Sequence, residues 1–309
     1  MLRKLIAFSL LGAGLLINAC GLSGPKPDKR INATLELMAD NPSEKEINDA
    51  ILALQHRFEK FNVYPTVERI ENSKSLKFTL ETHADGDRVR NFLVTPGKLE
   101  FYHVIIQDEL LMHCVIADDW LMENEGLVNP ITSKFYKASP SMLLATEKDT
   151  AAIGHYLRMN AIRNLWDGDK KRIKFLWGLL DTETHSFPLY ALRTGKLGKA
   201  PLDGSFVESA AQIYDYGDRP AINITMNAEG AGIWEEMTHE AFINASQIAV
   251  VVDDVVFSVP GVSNGRIVGG RSQISGDFTE EEARDLAASI SSESIPAMKI
   301  LSYSFQPLE

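Results

Sequence analysis

The sequence is poor in three things: cysteine, basic charge and long apolar runs. Its two cysteines among 309 residues, Cys20 and Cys114, cannot build a disulfide framework. Lys and Arg number 31 against 42 Asp and Glu, and the net charge of −11 argues against nucleic acid as a partner, because phosphate binding needs a basic face. Beyond Leu22, no apolar run approaches the roughly 18 residues of a membrane-spanning helix. The longest run, Ile248 to Val259, is interrupted by a pair of aspartates.

The remaining composition is that of a folded protein. Hydrophobic residues make up 45% of the chain, charged residues 24% and aromatic residues 8%, which excludes the disordered, collagen-like and coiled-coil classes. At roughly 150 residues per domain, the chain has room for about two domains.

The N-terminus has the features of a bacterial lipoprotein signal. Arg3 and Lys4 precede an apolar run from Leu5 to Leu16, and Ala19 stands directly before Cys20. A cysteine at such a cleavage point carries acyl chains, among them palmitate, and several chains give stable membrane anchoring. The alternative is an uncleaved membrane helix near the lower length limit for spanning. Both interpretations place the rest of the chain outside the cytoplasm, and we expect a signal peptide at residues 1–19, lipidation of Cys20 and a tether at residues 20–30.

Hydrophobic periodicity predicts an α+β fold with a ferredoxin-like base. Residues 31–106 follow a β-α-β-β-α-β order, in which Ser43 and Glu46 form a capping box and the last strand spans Leu99 to Ile106. Near the C-terminus, Thr279 begins another capped helix, and a strand with alternating apolar residues follows it. We therefore expect a base made of residues 31–106 and 277–309, with an inserted α+β head at residues 107–276.

Within the head, residues 107–140 show no clear pattern, whereas later stretches do. The predicted elements are a helix over Thr146 to Arg158, strands over Ile173 to Trp177 and Pro188 to Leu192, a short helix over Ser205 to Ile213, a strand over Ala221 to Met226, a helix capped by Asn227, and a hairpin turning at Asp253 and Asp254.

The motifs that resemble catalytic sites lack the context that their chemistry requires. Gly261 to Gly265 match G-x-S-x-G, but glycine-rich residues rather than a helix follow, and no histidine follows His239, so Ser263 lacks hydrolase partners. The stretch Thr194 to Lys199 is too short for a phosphate loop. The seven histidines form no H-E-x-x-H pair. We therefore expect no enzymatic activity, and no catalytic residue, cofactor or metal site.

One concentration of aromatic residues is a candidate for peptide contact. Trp166, Phe175, Trp177 and Phe187 fall within a short stretch of the predicted head. Core packing is the more common explanation for such a group, and an exposed apolar groove is the alternative. Under the alternative, Phe175, Trp177 and Phe187, together with Trp234, are the predicted peptide-contact residues.

Several short motifs, in order along the chain, resemble those of SecD, the membrane subunit that assists Sec-dependent protein export. The matching stretches are Ala200 to Ser205, Pro220 to Met226, Asn227 to Ala231, Ile248 to Asp253, Val256 to Pro260, Ile267 to Gly270 and Ile274 to Phe278. Upstream, Gly97 to Phe101 and Phe175 to Gly178 are similar to the longer variant found in fused SecD–SecF chains. The resemblance covers about residues 31 to 305, and residues 107 to 145 match poorly.

The resemblance implies a fold and a function. In the family, the first periplasmic domain (P1) has a ferredoxin-like base made from both chain ends and an inserted head, and it is thought to contact a preprotein leaving the channel. Transmembrane helices follow the family region equivalent to Ile295 to Met298, and no such run is present here. Because intramembrane ionisable groups carry proton coupling, the family's proton-driven cycle is not expected of this chain alone.

We therefore expect a stand-alone P1 domain, lipid-anchored to a bacterial envelope membrane and facing the periplasm. Its expected partners are unfolded or newly exported polypeptides, which it would bind without catalysis in support of Sec-dependent export. The alternative is an interaction module that docks onto an envelope assembly or onto membrane subunits of the Sec translocase without contacting substrate.

Overall fold

The structure, a computed structural model, describes residues 26–59, 61–139, 142–166, 172–195, 198–276, 278–292 and 294–308. The predicted signal peptide at residues 1–19, Cys20 and most of the tether lie outside the described residues. The chain divides into two compact units. Unit 1 contains the described residues up to Gly97, Ala210–Ile222 and Phe278–Glu309, and unit 2 contains Lys98–Ser209 and Asn223–Asp277.

The described chain contains strands and helices interspersed along its length. Their order is β1 (Lys29–Leu37), α1 (Glu44–Glu59), β2 (Thr66–Arg69), β3 (Ser75–Thr82), α2 (Gly86–Val94), β4 (Leu99–Val104), α3 (Gln107–Glu125), β5 (Phe135–Ser139), β6 (Met142–Thr146), α4 (Glu147–Arg158), α5 (Asn160–Arg163), β7 (Ile173–Trp177), β8 (Ser186–Arg193), β9 (Leu202–Asp203), β10 (Val207–Tyr214), β11 (Pro220–Met226), α6 (Ala228–Ile243), β12 (Ile248–Val252), β13 (Val255–Ser258), β14 (Arg271–Ser275), α7 (Glu280–Ser291) and β15 (Met298–Pro307).

Unit 1 is built on a four-stranded antiparallel sheet with the order β15-β1-β3-β2. This is the strand order of a ferredoxin-like fold, with the last strand beside the first, and it confirms the predicted α+β class. Alternate residues of β1 and β3 are buried against apolar residues of α1 and α2, because successive strand side chains point to opposite faces. The ends of α1 and α2 are joined by the buried Arg57, which donates hydrogen bonds to the carbonyl oxygens of Phe92 (3.0 Å) and Pro96 (2.5 Å).

The strand predicted over Leu99 to Ile106 forms, but its predicted place in the base sheet is wrong. It becomes β4, which pairs with β8, β9 and β12 in unit 2. The position beside β1 is taken by β15 instead. β4 is buried on both faces at nearly every residue, which suits the middle of a large sheet better than a sheet with one covered face.

Unit 2 contains a larger sheet with the order β13-β12-β4-β8-β6-β5, to which β7 is added along β8. Helices α3 and α4 pack on it through a core that includes Leu110, Leu157 and Leu189. The predicted hairpin is confirmed: β12 and β13 pair around Asp253 and Asp254, whose φ angles of 51° and 63° are those of a tight type I′ turn.

Two stretches of the head differ from their sequence patterns. The short helix predicted over Ser205 to Ile213 is wrong, because these residues form a 3-10 turn and the strand β10, in a sheet with the order β10-β11-β14. Pairing with β11 outweighs the helix propensity of the Ala and Gln residues there. The unassigned start of the head forms the long helix α3. Among the described residues, no helix combines the length and apolar character needed to cross a bilayer.

Candidate functional site

A groove of about 980 Å³ runs along strand β7 in unit 2. One wall is β7 itself, and the other includes Leu157 and Arg158 at the end of α4. The exposed side chains of Leu179 and Leu180 lie at one end of its lining. The lining of the groove is predominantly apolar. It borders β7, which pairs with β8 along one of its two edges.

The hydrogen bonds of β7 show which of its backbone groups face outward. The Gly178 N–H donates to the Pro188 carbonyl (2.8 Å), and the Thr194 N–H donates to the Arg172 carbonyl (2.9 Å). With the antiparallel register of β7 and β8, this pattern turns the N–H and C=O groups of the odd-numbered residues away from β8. Phe175 is the central one.

The outer edge of β7 is open at its centre. Among the described residues, β13 reaches this edge only through a parallel bridge between Gly178 and Val256, and the Arg163 guanidinium lies 3.5 Å from the Ile173 carbonyl oxygen. Within the same part of the chain, the backbone N–H and C=O of Phe175 have no partner on this side. An unpaired strand edge of this kind is a template for another extended chain.

Three of the four predicted peptide-contact residues meet at the groove. Phe175, Trp177 and Phe187 are partly buried and line it. Trp234 lies elsewhere: it is buried and packs against Phe101 with ring centroids 5.2 Å apart. The structure therefore places Trp234 in a hydrophobic core, which is the more common position of a large aromatic residue.

Behind Phe175 lies a stack of buried rings. The His113 ring is 4.3 Å from the Trp166 ring and 5.8 Å from the Phe175 ring, to which it is nearly parallel. Burial lowers the pKa of His113 to about 4, so the imidazole is neutral at pH 7. The Nε2 of His113 and the Nε1 of Trp166 are buried without a hydrogen-bond partner among the described residues. The neutral His113 ring therefore packs as an aromatic ring behind Phe175.

Four cationic side chains contribute to the groove of this acidic protein: Arg158, Arg163, Arg172 and Lys174. Lys174 is already paired, with Asp254 at 2.5 Å and the buried Glu100 at 3.3 Å. Burial by itself would raise the pKa of Asp254, but the hydrogen bond and charge of Lys174 outweigh it and leave that pKa lowered. Within the described part of the chain, the three arginines have no carboxylate partner, so the groove is locally positive.

Several other residues that line the groove were not predicted. Leu179 and Leu180 follow β7 as an apolar pair, and that pair was the available signal. Thr194 also lines the groove, and its buried hydroxyl has no partner among the described residues. The open edge itself depends on which strands are neighbours, a property that local sequence does not encode.

The two residues with potential nucleophilic side chains that the sequence singles out, Cys114 and Ser263, do not line the groove. Burial, followed by the charge of Asp118, raises the pKa of the Cys114 thiol to about 12, which keeps it protonated. Ser263 lies in an exposed loop that continues without a helix. No group of three or more potential metal ligands occurs in the described ranges.

Comparison with known proteins shows which proteins this chain is similar to. Residues 188–297 match the family model of the SecDF P1 head subdomain. The protein translocase subunit SecD of Rhodothermus marinus is 26% identical over 289 residues, covering 82% of this chain and 45% of that protein. The chain thus spans about half the length of this curated relative.

Two solved structures share the fold. SecDF in a super-membrane-facing form has a TM-score of 0.54 at 20% identity, over 89% of this chain and 30% of that one. A structure of SecDF, described as a membrane component that enhances protein export, has a TM-score of 0.50 at 19% identity, over 88% of this chain and 98% of that one. The resemblance seen in the sequence motifs is confirmed: the chain is similar to SecD over most of its length, shares its fold with SecDF, and matches the SecDF P1 head subdomain over residues 188–297.

Proposed function

We propose that this protein binds extended segments of unfolded or newly exported polypeptide in support of protein export, and that the β7 groove is the binding site. The observation that carries the proposal is the coincidence of two features. Among the described residues, the backbone of Phe175 has no partner on its outer side, and the apolar groove lies along that same edge of β7. One supplies hydrogen bonds and the other supplies burial for side chains.

An extended chain fits both features at once. Its backbone would pair with the N–H and C=O of Phe175 and continue the sheet, which needs no particular sequence. Alternate side chains of the bound segment would then face Trp177 and Phe187, since strand side chains alternate between faces. Such a site suits the varied sequences of unfolded proteins.

The arginines, which have no carboxylate partner among the described residues, add a preference among these segments. Arg158, Arg163 and Arg172 border the groove, so a segment that carries carboxylates beside its apolar residues should bind more tightly than a basic one. The preference should weaken as salt is added, because the arginines lie at an open site.

The test uses the full chain and a fluorescein-labelled, reduced and carboxymethylated polypeptide that cannot refold. Fluorescence anisotropy should show saturable binding with a dissociation constant in the micromolar range, about −8 kcal/mol. Phe175→Pro removes the outward N–H, whereas Phe175→Leu keeps it, and proline is tolerated at strand edges. We expect Phe175→Pro to weaken binding several-fold more than Phe175→Leu does.

Leu52→Gln, at an exposed site on α1, serves as a control that leaves affinity unchanged. Circular dichroism of each variant checks its fold. If Phe175→Pro and Phe175→Leu bind alike, pairing at the edge is excluded. Absence of saturable binding by the unaltered chain would end the proposal altogether.

We further propose that the protein is anchored through acylated Cys20 and faces the periplasm, as the pattern from Arg3 to Cys20 suggests. When the full chain is expressed in a bacterial host with a palmitate analogue, label should enter the wild type and the membrane fraction should retain it. Cys20→Ala should abolish the label. Cys114→Ala, which changes the other cysteine, should keep it; equal labelling of both variants would contradict the anchor.

A further inference from the structure

Helix α3 of unit 2 is apolar on its outer face as well as on its inner one. Leu110, Cys114 and Leu121 point inward, into the core beneath β6 and β8. On the opposite side lie four residues that we call the α3 stripe. They are Met112 (59% exposed), Val115 (41%), Ile116 (42%) and Met122 (56%).

The stripe lies on one side of α3. At 100° per residue its four side chains fall within an arc of about 120°, and Asp119 lies in the same arc between Ile116 and Met122. Exposed apolar side chains grouped on one side of a helix indicate a face that a partner covers. Here β5, β6 and β8 cover only the inner side. The stripe therefore has the character of an interface without its partner.

The charge around the stripe is of one sign. The α3 sequence contains aspartates and glutamates in its first turn and in its C-terminal half, none from Leu110 to Ala117, and no lysine or arginine. Asp118 is buried and accepts hydrogen bonds from the backbone N–H groups of Ile131 (2.8 Å) and Thr132 (2.9 Å). Asp108 precedes the stripe on the same side of α3, and Asp119 and Glu123 lie on that side in its C-terminal half. All three are exposed, and within the described residues they have no ion pair with a cation. The apolar residues thus have a negative border towards both ends of the helix.

This border decides among the possible occupants. A second copy of the chain would bring two acidic borders together, and like charges facing each other across an interface are unfavourable. An anionic membrane surface would repel the stripe for the same reason. A helix with an apolar face flanked by Lys and Arg satisfies both the hydrophobic and the charge requirement.

We propose that the α3 stripe docks an amphipathic helix of a partner protein, with Lys and Arg on both sides of its apolar face. The 19 residues of α3 extend about 28 Å, which matches a partner helix of about five turns. The two methionines are flexible and polarisable, so the surface can adapt to different apolar side chains. This docking surface is distinct from the β7 groove and does not depend on the function proposed for it.

The probe is a fluorescein-labelled synthetic helix of leucine and lysine, with leucines in one stripe and lysines on both sides. The matched control peptide carries glutamate in place of every lysine. With the full chain, anisotropy should show saturable binding of the lysine peptide that weakens with salt, and much weaker binding of the glutamate peptide.

Two variants locate the site. Met112→Gln with Ile116→Gln removes apolar surface while keeping good helix formers, and it should weaken the lysine peptide at least tenfold. Asp119→Asn with Glu123→Gln should weaken it three- to tenfold and flatten the salt dependence. Leu52→Gln, which lies on α1, should bind the peptide as the unaltered chain does.

Several results would overturn the proposal. Equal affinity for the two peptides, or an unchanged affinity in the Met112→Gln, Ile116→Gln variant, removes the proposed partner chemistry or its site. Concentration-dependent dimerisation that this variant abolishes would assign the stripe to a second copy. Binding to phosphatidylglycerol vesicles that the variant loses would assign it to a membrane.

Discussion

Gly97 occupies a position in unit 1 that leaves no room for a side chain. Its φ of +70° is in the left-handed region, and a Cβ atom there would stand 2.6 Å from the Ser289 carbonyl oxygen and 3.0 Å from a nitrogen of Arg57. Two separate constraints therefore require glycine, one of conformation and one of space.

Gly97→Ala should therefore destabilise the protein by about 3 kcal/mol, since backbone strain and a clash add together. Gly126→Ala is the matched control: Gly126 has a φ of +68° but nothing within 4 Å of the added Cβ. It should cost only about 1 kcal/mol, which is the strain alone. Urea unfolding followed by circular dichroism measures both values. Equal losses would show that the contact with Ser289 relaxes at little cost.

His113 predicts how stability depends on pH. The unfolded chain binds a proton at His113 with a pKa of about 6.5, whereas the folded protein binds it at about 4 because the ring is buried. The stabilisation is therefore fully present above pH 6.5 and is lost as the pH falls towards 4. Between pH 7 and pH 5 the loss should be about 2 kcal/mol.

The measurement compares the wild type with His113→Phe, which keeps an aromatic ring beside Trp166 and Phe175 but cannot titrate. Unfolding free energies at pH 7 and pH 5 should fall further in the wild type than in the variant. The same drop in both proteins would mean that other groups cause the acid sensitivity.

At the scale of the elements, local signals in the sequence predicted local structure well. The capping box of Ser43 and Glu46 forms at the start of α1, with the Ser43 N–H 2.7 Å from the Glu46 carboxylate. Asn227 caps α6 by accepting a hydrogen bond from the Gly230 N–H (2.8 Å). These contacts involve residues three apart, so the sequence contains all the information that they need.

Elements whose conformation or sheet membership depends on residues distant in the sequence were harder to predict. β10 pairs with β11, against its helix propensity, and β4 joins the sheet of unit 2 rather than that of unit 1. Helix α3 was not predicted, because apolar residues on both of its faces obscure the helical period of the sequence. The groove was predictable as a set of aromatic residues in and around β7, but neither its open edge nor the position of Trp234 was, since both depend on which elements become neighbours.

The capping box of α7 gives a prediction for one element. The Thr279 hydroxyl accepts a hydrogen bond from the Glu282 N–H (3.2 Å), and the Glu282 carboxylate accepts one from the Thr279 N–H (2.8 Å). Thr279→Ala should cost about 1 kcal/mol by leaving the first turn of the helix uncapped. Thr279→Ser keeps the hydroxyl and should stay close to wild type in thermal unfolding. If both variants lose stability equally, the methyl group rather than the cap is responsible.

At the scale of the whole molecule, each unit has its own apolar core. The core of unit 1 joins residues of β1, β3, α1 and α2, and that of unit 2 lies beneath α3 and α4. All four tryptophans belong to unit 2, so tryptophan fluorescence reports on that unit alone. Far-ultraviolet circular dichroism reports on both.

The two units should unfold separately. Phe78→Ala removes a buried ring from the core of unit 1 and should cost about 4 kcal/mol there. We expect an earlier transition by circular dichroism and an unchanged midpoint by tryptophan fluorescence. Leu157→Ala, in the core of unit 2, should shift the fluorescence midpoint instead. Coincident shifts of both signals in both variants would show a single cooperative unit.

Because β15 pairs with β1, the sheet of unit 1 can be completed only after β15 has been synthesised. A polypeptide that emerges N-terminus first presents β1, β2 and β3 early, yet the ten residues that cover the free side of β1 arrive last. Until then, β1 offers an unpaired edge to any neighbouring chain, which is a hazard for aggregation. The residues of unit 2 have all appeared by that time and can fold first. The strand β1 thus gains its second neighbour only after the residues of unit 2 have been made.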